Sequence, residues 1–93
     1  MATVNIGQLV VTAGIREEMS ISRAFEQFVR KSFSRHASGD WGDLCEEDKA
    51  TNDYSLNNEG RLFSAYKYTD DTKIWIITEW DRSATTILFP EEY

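Results

Sequence analysis

Residues 61–89 read RLFSAYKYTDDTKIWIITEWDRSATTILF, and this stretch decides the fold. It contains three runs rich in aromatic and β-branched residues: Arg61–Thr69, Lys73–Trp80 and Ala84–Phe89. Such residues favour β-strands, and the short polar connections between the runs suit tight turns, so the stretch predicts a β-meander. The middle run carries apolar residues on both faces, which predicts a central strand that helices cover on one side at least.

The region before this meander predicts one more strand and the main helix. Residues 5–13, NIGQLVVTA, are apolar and β-branched and indicate a strand that Gly14 closes. Four apolar residues then recur with the spacing of one helical face, which predicts a long helix within residues 15–35. A serine, Ser20 or Ser22, is expected to cap its start. The core-facing stripe consists of Phe25, Phe28, Val29 and Phe33.

A shorter helix is predicted in residues 36–59, which we call the acidic segment. Asp43 precedes Glu46 by three positions, which is the spacing of a capping box with Asp in place of Ser or Thr. A helix is therefore expected over about residues 44–52, with a continuation through Leu56 as an alternative.

Together these elements predict an α+β fold in a single domain, residues 1–93. The sheet is expected to be four-stranded and mainly antiparallel, with the N-terminal strand added to the C-terminal β-meander. One long helix and one or two short helices are expected to pack on it.

The charge of the chain is concentrated in the acidic segment. The net charge is −6, and residues 36–59 contain seven acidic side chains against one base, Lys49. Phosphate backbones are repelled by such a surface, so direct nucleic-acid binding is disfavoured and a basic partner is favoured. The lone cysteine, the absence of a long apolar run and the lack of a signal-peptide pattern predict a cytoplasmic protein without a membrane partner.

Residues 36–48, HASGDWGDLCEED, hold the only histidine and the only cysteine. An imidazole can activate a thiol, so one hypothesis is a small-molecule-binding protein or small enzyme with a pocket near His36, Asp40 and Cys45. The spacing favours structural roles for the histidine and the cysteine instead. The acids match neither a calcium loop nor a zinc pattern, so no catalytic residue, metal or cofactor is predicted.

Trp41 stands between two glycines inside this segment and admits two interpretations. It is either a lid folded onto the core or a binding anchor with an acidic rim, since tryptophan is enriched at interface hot spots. We expect a partner-binding surface around it. The residues expected there are Asp40, Trp41, Asp43, Glu46, Glu47, Asp48 and Asp53.

Several stretches resemble a family of small proteins carried by plasmids, prophages and other mobile elements of Gram-positive and gut bacteria. The stretches are DWGDLCEEDKATND (40–53), RLFSAY (61–66), KIWIITEWDRSATTILFPEEY (73–93) and the opening NIGQLVVTAGI (5–15). Family members are labelled hypothetical, plasmid-related or "type I restriction endonuclease subunit M". A DNA methyltransferase needs an Asn-Pro-Pro-aromatic motif, and the single proline here, Pro90, lies between Phe and Glu. The resemblance therefore implies a mobile-element context and no catalytic residues.

These observations favour a non-catalytic interaction protein over an enzyme. We expect it to inhibit a host defence complex, as an anti-CRISPR or anti-restriction protein, by occupying a basic nucleic-acid-binding surface. Its partner is then the basic surface of a protein or nucleoprotein complex. A homodimer through a sheet edge or exposed aromatic residues is compatible with this expectation.

Overall fold

The computed structural model describes residues 4–93, which form a four-stranded sheet with α-helices packed against it. It confirms the predicted α+β fold, with one long and two short α-helices. Within the described residues, no helix combines the length and the apolar character needed to span a membrane. The elements in chain order are β1 (Gln8–Val11), α1 (Ala13–Ile21), α2 (Arg23–Ala37), α3 (Glu46–Asn57), β2 (Leu62–Thr69), β3 (Thr72–Thr78), β4 (Ala84–Leu88) and a 3₁₀ turn (Pro90–Glu92).

The strand order across the sheet is β1-β4-β3-β2. The β2, β3 and β4 strands form the predicted antiparallel meander, and β3 is central, with Ile76 opposite both Ser64 and Ile87. The β1 strand lies parallel to β4, with Gln8 opposite Ala84. The sheet is therefore mixed but mostly antiparallel, and β1 and β2 are its two edges.

The first helix begins earlier than the sequence pattern predicts. Gly14 does not end a strand; it lies in the first turn of α1, which Thr12 caps by accepting a hydrogen bond from the Ile15 N–H at 3.4 Å. Ser22 then separates α1 from α2. Its hydroxyl accepts from the Phe25 N–H at 3.1 Å, which confirms the Ser22 alternative for the cap of the long helix.

The main core lies between the helices and one face of the sheet. The α2 residues Phe25 and Val29 are buried there, while Phe28 and Phe33 are half-buried against the same cluster, as the helical stripe predicts. Burying each such side chain contributes on the order of 2 kcal/mol to stability. The remaining buried members of this cluster are Ile15, Tyr66, Ile74, Ile76 and Ile87.

The other face of the sheet carries a row of aromatic side chains. Phe63 and Trp75 meet edge to face with ring centres 5.1 Å apart, and Trp75 meets Tyr93 in the same way at 5.9 Å. The Arg61 guanidinium lies 5.3 Å from the centre of the Tyr93 ring. The C-terminal residue thus covers part of the sheet face that the helices leave open.

Candidate functional site

The start of the acidic segment covers the outer edge of β2. An edge strand presents backbone groups that need partners. Ala65 supplies two of them: its N–H donates to the Trp41 carbonyl at 3.4 Å, and its carbonyl accepts from the Asp43 N–H at 2.7 Å. Gly42 lies opposite Ala65 as a parallel bridge. Residues 41–43 therefore act as a short additional strand.

Two side chains extend this cover to either side of Ala65. The Asn52 amide donates to the Phe63 carbonyl at 2.5 Å, and its oxygen accepts from the Phe63 N–H at 3.1 Å. The Asp43 carboxylate accepts from the Lys67 N–H at 2.8 Å. The outward backbone groups of alternate β2 residues are thus bound by residues 41–43 and Asn52, which we call the edge cover.

The capping-box prediction for Asp43 is wrong. The α3 helix is present but begins at Glu46, and its N-cap is Cys45, whose side chain makes no capping hydrogen bond. The reason is a competing partner, because the Asp43 carboxylate binds the Lys67 amide of β2 instead of an amide of α3. Asp43 also lies two residues before the N-cap Cys45, outside the position from which a side chain caps the helix.

Trp41 belongs to the core, which confirms the lid interpretation. Its side chain is 4% exposed and packs with Val4 and Leu62. The indole N–H donates to an Asp53 carboxylate oxygen at 2.9 Å, so its one polar atom is satisfied. The anchor interpretation requires an exposed ring and does not describe this structure. Trp41 instead holds Asp53 and the edge cover in place.

His36 is fully buried and belongs to a chain of polar side chains beneath the helices. Its Nδ1 lies 2.6 Å from the Ser64 hydroxyl, and its Nε2 lies 2.8 Å from the Thr78 hydroxyl. Thr78 contacts the Thr85 hydroxyl at 2.7 Å, and Thr85 donates to the Ile6 carbonyl at 2.8 Å. This imidazole–hydroxyl chain links α2, three strands and the segment before β1.

The proton positions along the imidazole–hydroxyl chain follow from its final acceptor, the Ile6 carbonyl. A carbonyl only accepts, so Thr85 donates to Ile6 and must accept from Thr78. Thr78 in turn accepts from His36, which places the imidazole proton on Nε2 and leaves Nδ1 to accept from Ser64. Burial lowers the pKa of His36 to about 4, so the ring is neutral at pH 7. Both ring nitrogens are used.

The pairing of His36 with Cys45 is not formed. Cys45 is exposed at the start of α3, whereas His36 is buried and hydrogen-bonded at both nitrogens. Across residues 4–93, no group of three His, Cys, Asp or Glu side chains is placed to hold a metal ion. The hypothesis of a reactive pocket near His36, Asp40 and Cys45 therefore lacks the general base that would activate the thiol.

Asp40 is bound within the chain rather than free. Its carboxylate accepts from Arg35 Nε at 2.7 Å and from Arg35 Nη2 at 3.2 Å, and also from the Gly42 N–H at 3.1 Å. The hydrogen bond from Arg35 holds the pKa of Asp40 below its ordinary value. The Tyr66 hydroxyl donates to the Asp40 carbonyl at 2.6 Å, which anchors the same residue to β2.

The structure divides the predicted acidic residues into two groups. Asp40, Asp43 and Asp53 make hydrogen bonds that stabilise the fold. The other three occupy the first turn of α3, where carboxylates suit the positive end of the helix dipole. Lys49 Nζ lies 3.8 Å from a carboxylate oxygen of Glu46, and the Glu46 side chain is 95% exposed. We call Glu46, Glu47 and Asp48, which are all exposed, the acidic turn.

Some of these interactions have a signal in the sequence. Residues Phe25, Val29, Ser32 and His36 continue one helical face, which places the histidine inside. A buried imidazole needs polar partners, and Ser64, Thr78 and Thr85 stand on inward positions of their strands. The sequence gives no comparable signal for Asn52, because both of its hydrogen bonds are to backbone atoms of Phe63, which any residue type supplies.

Comparisons with protein-family models, with curated proteins and with solved structures give no match to this chain. The family resemblance therefore stays a prediction. The proposals on function rest on the geometry of the edge cover and the acidic turn.

Replacing Asn52 by alanine is expected to lower the free energy of unfolding by about 2 kcal/mol. The change removes both side-chain hydrogen bonds to Phe63 and leaves two edge groups without their partner. Urea denaturation measures the effect. The matched control is Asn57→Ala, at the exposed last residue of the same helix, where a change within about 0.5 kcal/mol is expected. Equal losses in both variants would contradict the role of Asn52 in the edge cover.

Proposed function

We propose that this protein is a non-catalytic interaction protein whose acidic turn binds a basic surface of another protein or nucleoprotein complex. The observation that carries the proposal is the exposure of three successive acidic residues in the first turn of α3, Glu46, Glu47 and Asp48. Complementary charge of this kind speeds association and selects basic partners.

The scaffold beneath the acidic turn supports this role. Asn52 joins α3 to β2, and Arg82 donates to the Ser55 carbonyl near the C-terminal end of the helix at 2.8 Å. Arg82 also donates to the Gly60 carbonyl at 2.6 Å. A helix held at several points loses little conformational freedom on binding, so more of the interaction energy remains as affinity.

The three aspartates outside the acidic turn have a different part in the proposal. Asp40 is neutralised by Arg35, and the carboxylates of Asp43 and Asp53 bind an amide and an indole of the chain itself. They contribute shape and position. A hydrogen bond from a neutral N–H leaves the negative charge of a carboxylate in place, so Asp43 and Asp53 add to the charge of the acidic turn. The buried Trp41 contributes through the rigidity of the cover.

The resemblance to mobile-element proteins suggests the kind of partner. Such elements meet host restriction and CRISPR complexes, whose nucleic-acid-binding grooves are lined by basic residues. We propose that the acidic turn occupies such a groove, so that the protein acts as an anti-restriction or anti-CRISPR inhibitor. The buried, doubly bonded state of His36 supports a role without catalysis at that residue.

Charge reversal of the acidic turn is expected to weaken partner capture on the order of a hundredfold, because like charges then face each other. The test compares Glu47→Lys with Asp48→Lys against a matched pair, Asp70→Lys with Asp71→Lys. The control pair lies in the exposed β2–β3 turn and changes the net charge equally. Capture from bacterial lysate is measured for the wild type and both double variants.

The inhibitor role is measured separately, by plasmid transformation into cells with an active restriction or CRISPR defence. The wild type and the Asp70/Asp71 variant are expected to raise transformation efficiency, and the Glu47/Asp48 variant is not. Full capture and full inhibition by the Glu47/Asp48 variant would overturn the acidic-turn proposal. Capture of a basic partner without any change in transformation would overturn only the inhibitor role.

A further inference from the structure

The two edge strands of the sheet differ in whether their outward backbone groups are hydrogen-bonded. The β2 edge is closed by the edge cover, whereas the β1 edge faces outward. The Gln8 N–H donates to the Ser83 carbonyl at 3.0 Å, and the Thr12 N–H donates to the Ile87 carbonyl at 3.1 Å. In a parallel pair, alternate residues point toward the neighbouring strand. The N–H and C=O groups of Leu9 and Val11 therefore point away from β4, and no hydrogen bond joins them to another part of residues 4–93.

The side chains of β1 do not shield its edge from pairing with a strand of another chain. Natural edge strands are shielded by charged residues, proline or bulges. The β1 sequence QLVV contains no charged residue or proline, and Leu9 and Val10 are 45% and 40% exposed. The edge thus combines four outward backbone groups with exposed apolar side chains, which is the composition of a strand-pairing surface.

We propose that two copies of this chain pair through their β1 edges, antiparallel and about a two-fold axis at Val10, to form one eight-stranded sheet. The spacing of the outward groups is self-complementary. Leu9 of one copy exchanges both backbone hydrogen bonds with Val11 of the second copy, and the reverse pair does the same. All four outward groups of each copy are then bound, and the two Val10 side chains meet at the axis.

The surroundings of β1 favour a second copy over an unrelated strand. Leu9, Val11 and Met19 line a groove of about 380 Å³ on the helix side, together with Arg16 and Glu26. The two-fold axis sets this groove beside its equivalent. A groove with one cation and one anion has no net charge to oppose that contact. The acidic turn is on α3, which packs against β2 at the opposite edge of the sheet, so this pairing is independent of the proposed function.

Cysteine cross-linking tests both the interface and its register. With Cys45→Ser as the background, Val10→Cys is expected to form an intermolecular disulfide under mild oxidation. The Cα atoms of such a non-hydrogen-bonded pair lie about 4.5 Å apart, within the range of a disulfide. Gln8→Cys on the same strand is the matched control. Its two copies lie about 14 Å apart in this register and are not expected to cross-link.

Light scattering measures the mass of the uncross-linked protein. The expected mass of the wild type is twice the 10.7 kDa of one chain. Val10→Glu places two like charges at the axis and is expected to halve that mass, whereas Val10→Thr keeps it. Circular dichroism confirms that both variants are folded. A monomeric wild type, or equal cross-linking at positions 8 and 10, would overturn the proposal.

Discussion

Lowering the pH from 7 to 5 is expected to reduce the free energy of unfolding by about 2 kcal/mol through His36 alone. The imidazole is fully buried, and burial lowers its pKa from 6.5 to about 4. Its two nitrogens bind the hydroxyls of Ser64 and Thr78. Protonation of Nδ1 requires Ser64 to stop donating, so the charged ring loses a partner as well as solvent.

The direction of this effect follows from the two protonation states. As the pH falls through 6.5, the unfolded chain binds a proton at His36 while the folded chain does not. The contribution to stability is therefore complete above about pH 6.5 and is lost as the pH falls toward 4. Most carboxylates are still ionised at pH 5, so the interval from 7 to 5 isolates the histidine.

Urea denaturation at pH 7, 6 and 5 measures this loss, and His36→Gln supplies the control. The glutamine variant is expected to be less stable at every pH, because it does not reproduce the imidazole contacts, but to show little change between pH 7 and 5. A wild type whose stability is constant over this interval would contradict the buried, neutral state of His36.

Gly42→Ala is expected to lower the free energy of unfolding by about 2–5 kcal/mol. Gly42 has a φ of +76°, a backbone conformation that costs an L-residue about 1–2 kcal/mol. An added Cβ also overlaps the Ala65 carbonyl oxygen and lies 2.7 Å from the Tyr66 ring, and such overpacking costs about 1–3 kcal/mol. The edge cover is then expected to separate from β2.

Hydrogen exchange shows whether the cover itself is lost. The amides of Ala65 and Lys67 bind the cover in the wild type, so they are expected to exchange faster in the variant than the amides within β3. Gly39→Ala is the control, because Gly39 also has a positive φ, of 84°, but follows the end of α2. A Gly42→Ala protein as stable as Gly39→Ala would contradict the close contact at Ala65.

Much of the fold follows from patterns that act locally. The β-branched runs of residues 61–89 predict the meander because adjacent strands and tight turns are neighbours in sequence. The stripe from Phe25 to Phe33 predicts α2 for the same reason. The parallel pairing of β1 with β4 joins distant parts of the chain, and no local pattern specifies it.

The candidate site was predicted less completely than the fold. Composition identified the acidic segment, but the spacing of Asp43 and Glu46 predicts only a local hydrogen bond from Asp43 to an amide of α3. The Asp43 carboxylate binds the Lys67 amide of β2 instead, and the fold alone brings these two residues together. Likewise, the glycines around Trp41 are compatible with an exposed ring and with a buried one. The ring is buried, and the Asp53 carboxylate stabilises this position by accepting a hydrogen bond from the indole N–H.

The contact between β1 and β4 also constrains how the chain reaches its native state. Thr12 and Glu92 are joined across 80 positions, and Thr85 binds Ile6 across 79. During translation, β1 leaves the ribosome long before the strand on which it depends. Contacts of such long range are slow to form, because loop closure must precede any gain from them. The β1 strand therefore stays unpaired until β4 has been synthesised, and in that interval the nascent chain is most open to aggregation.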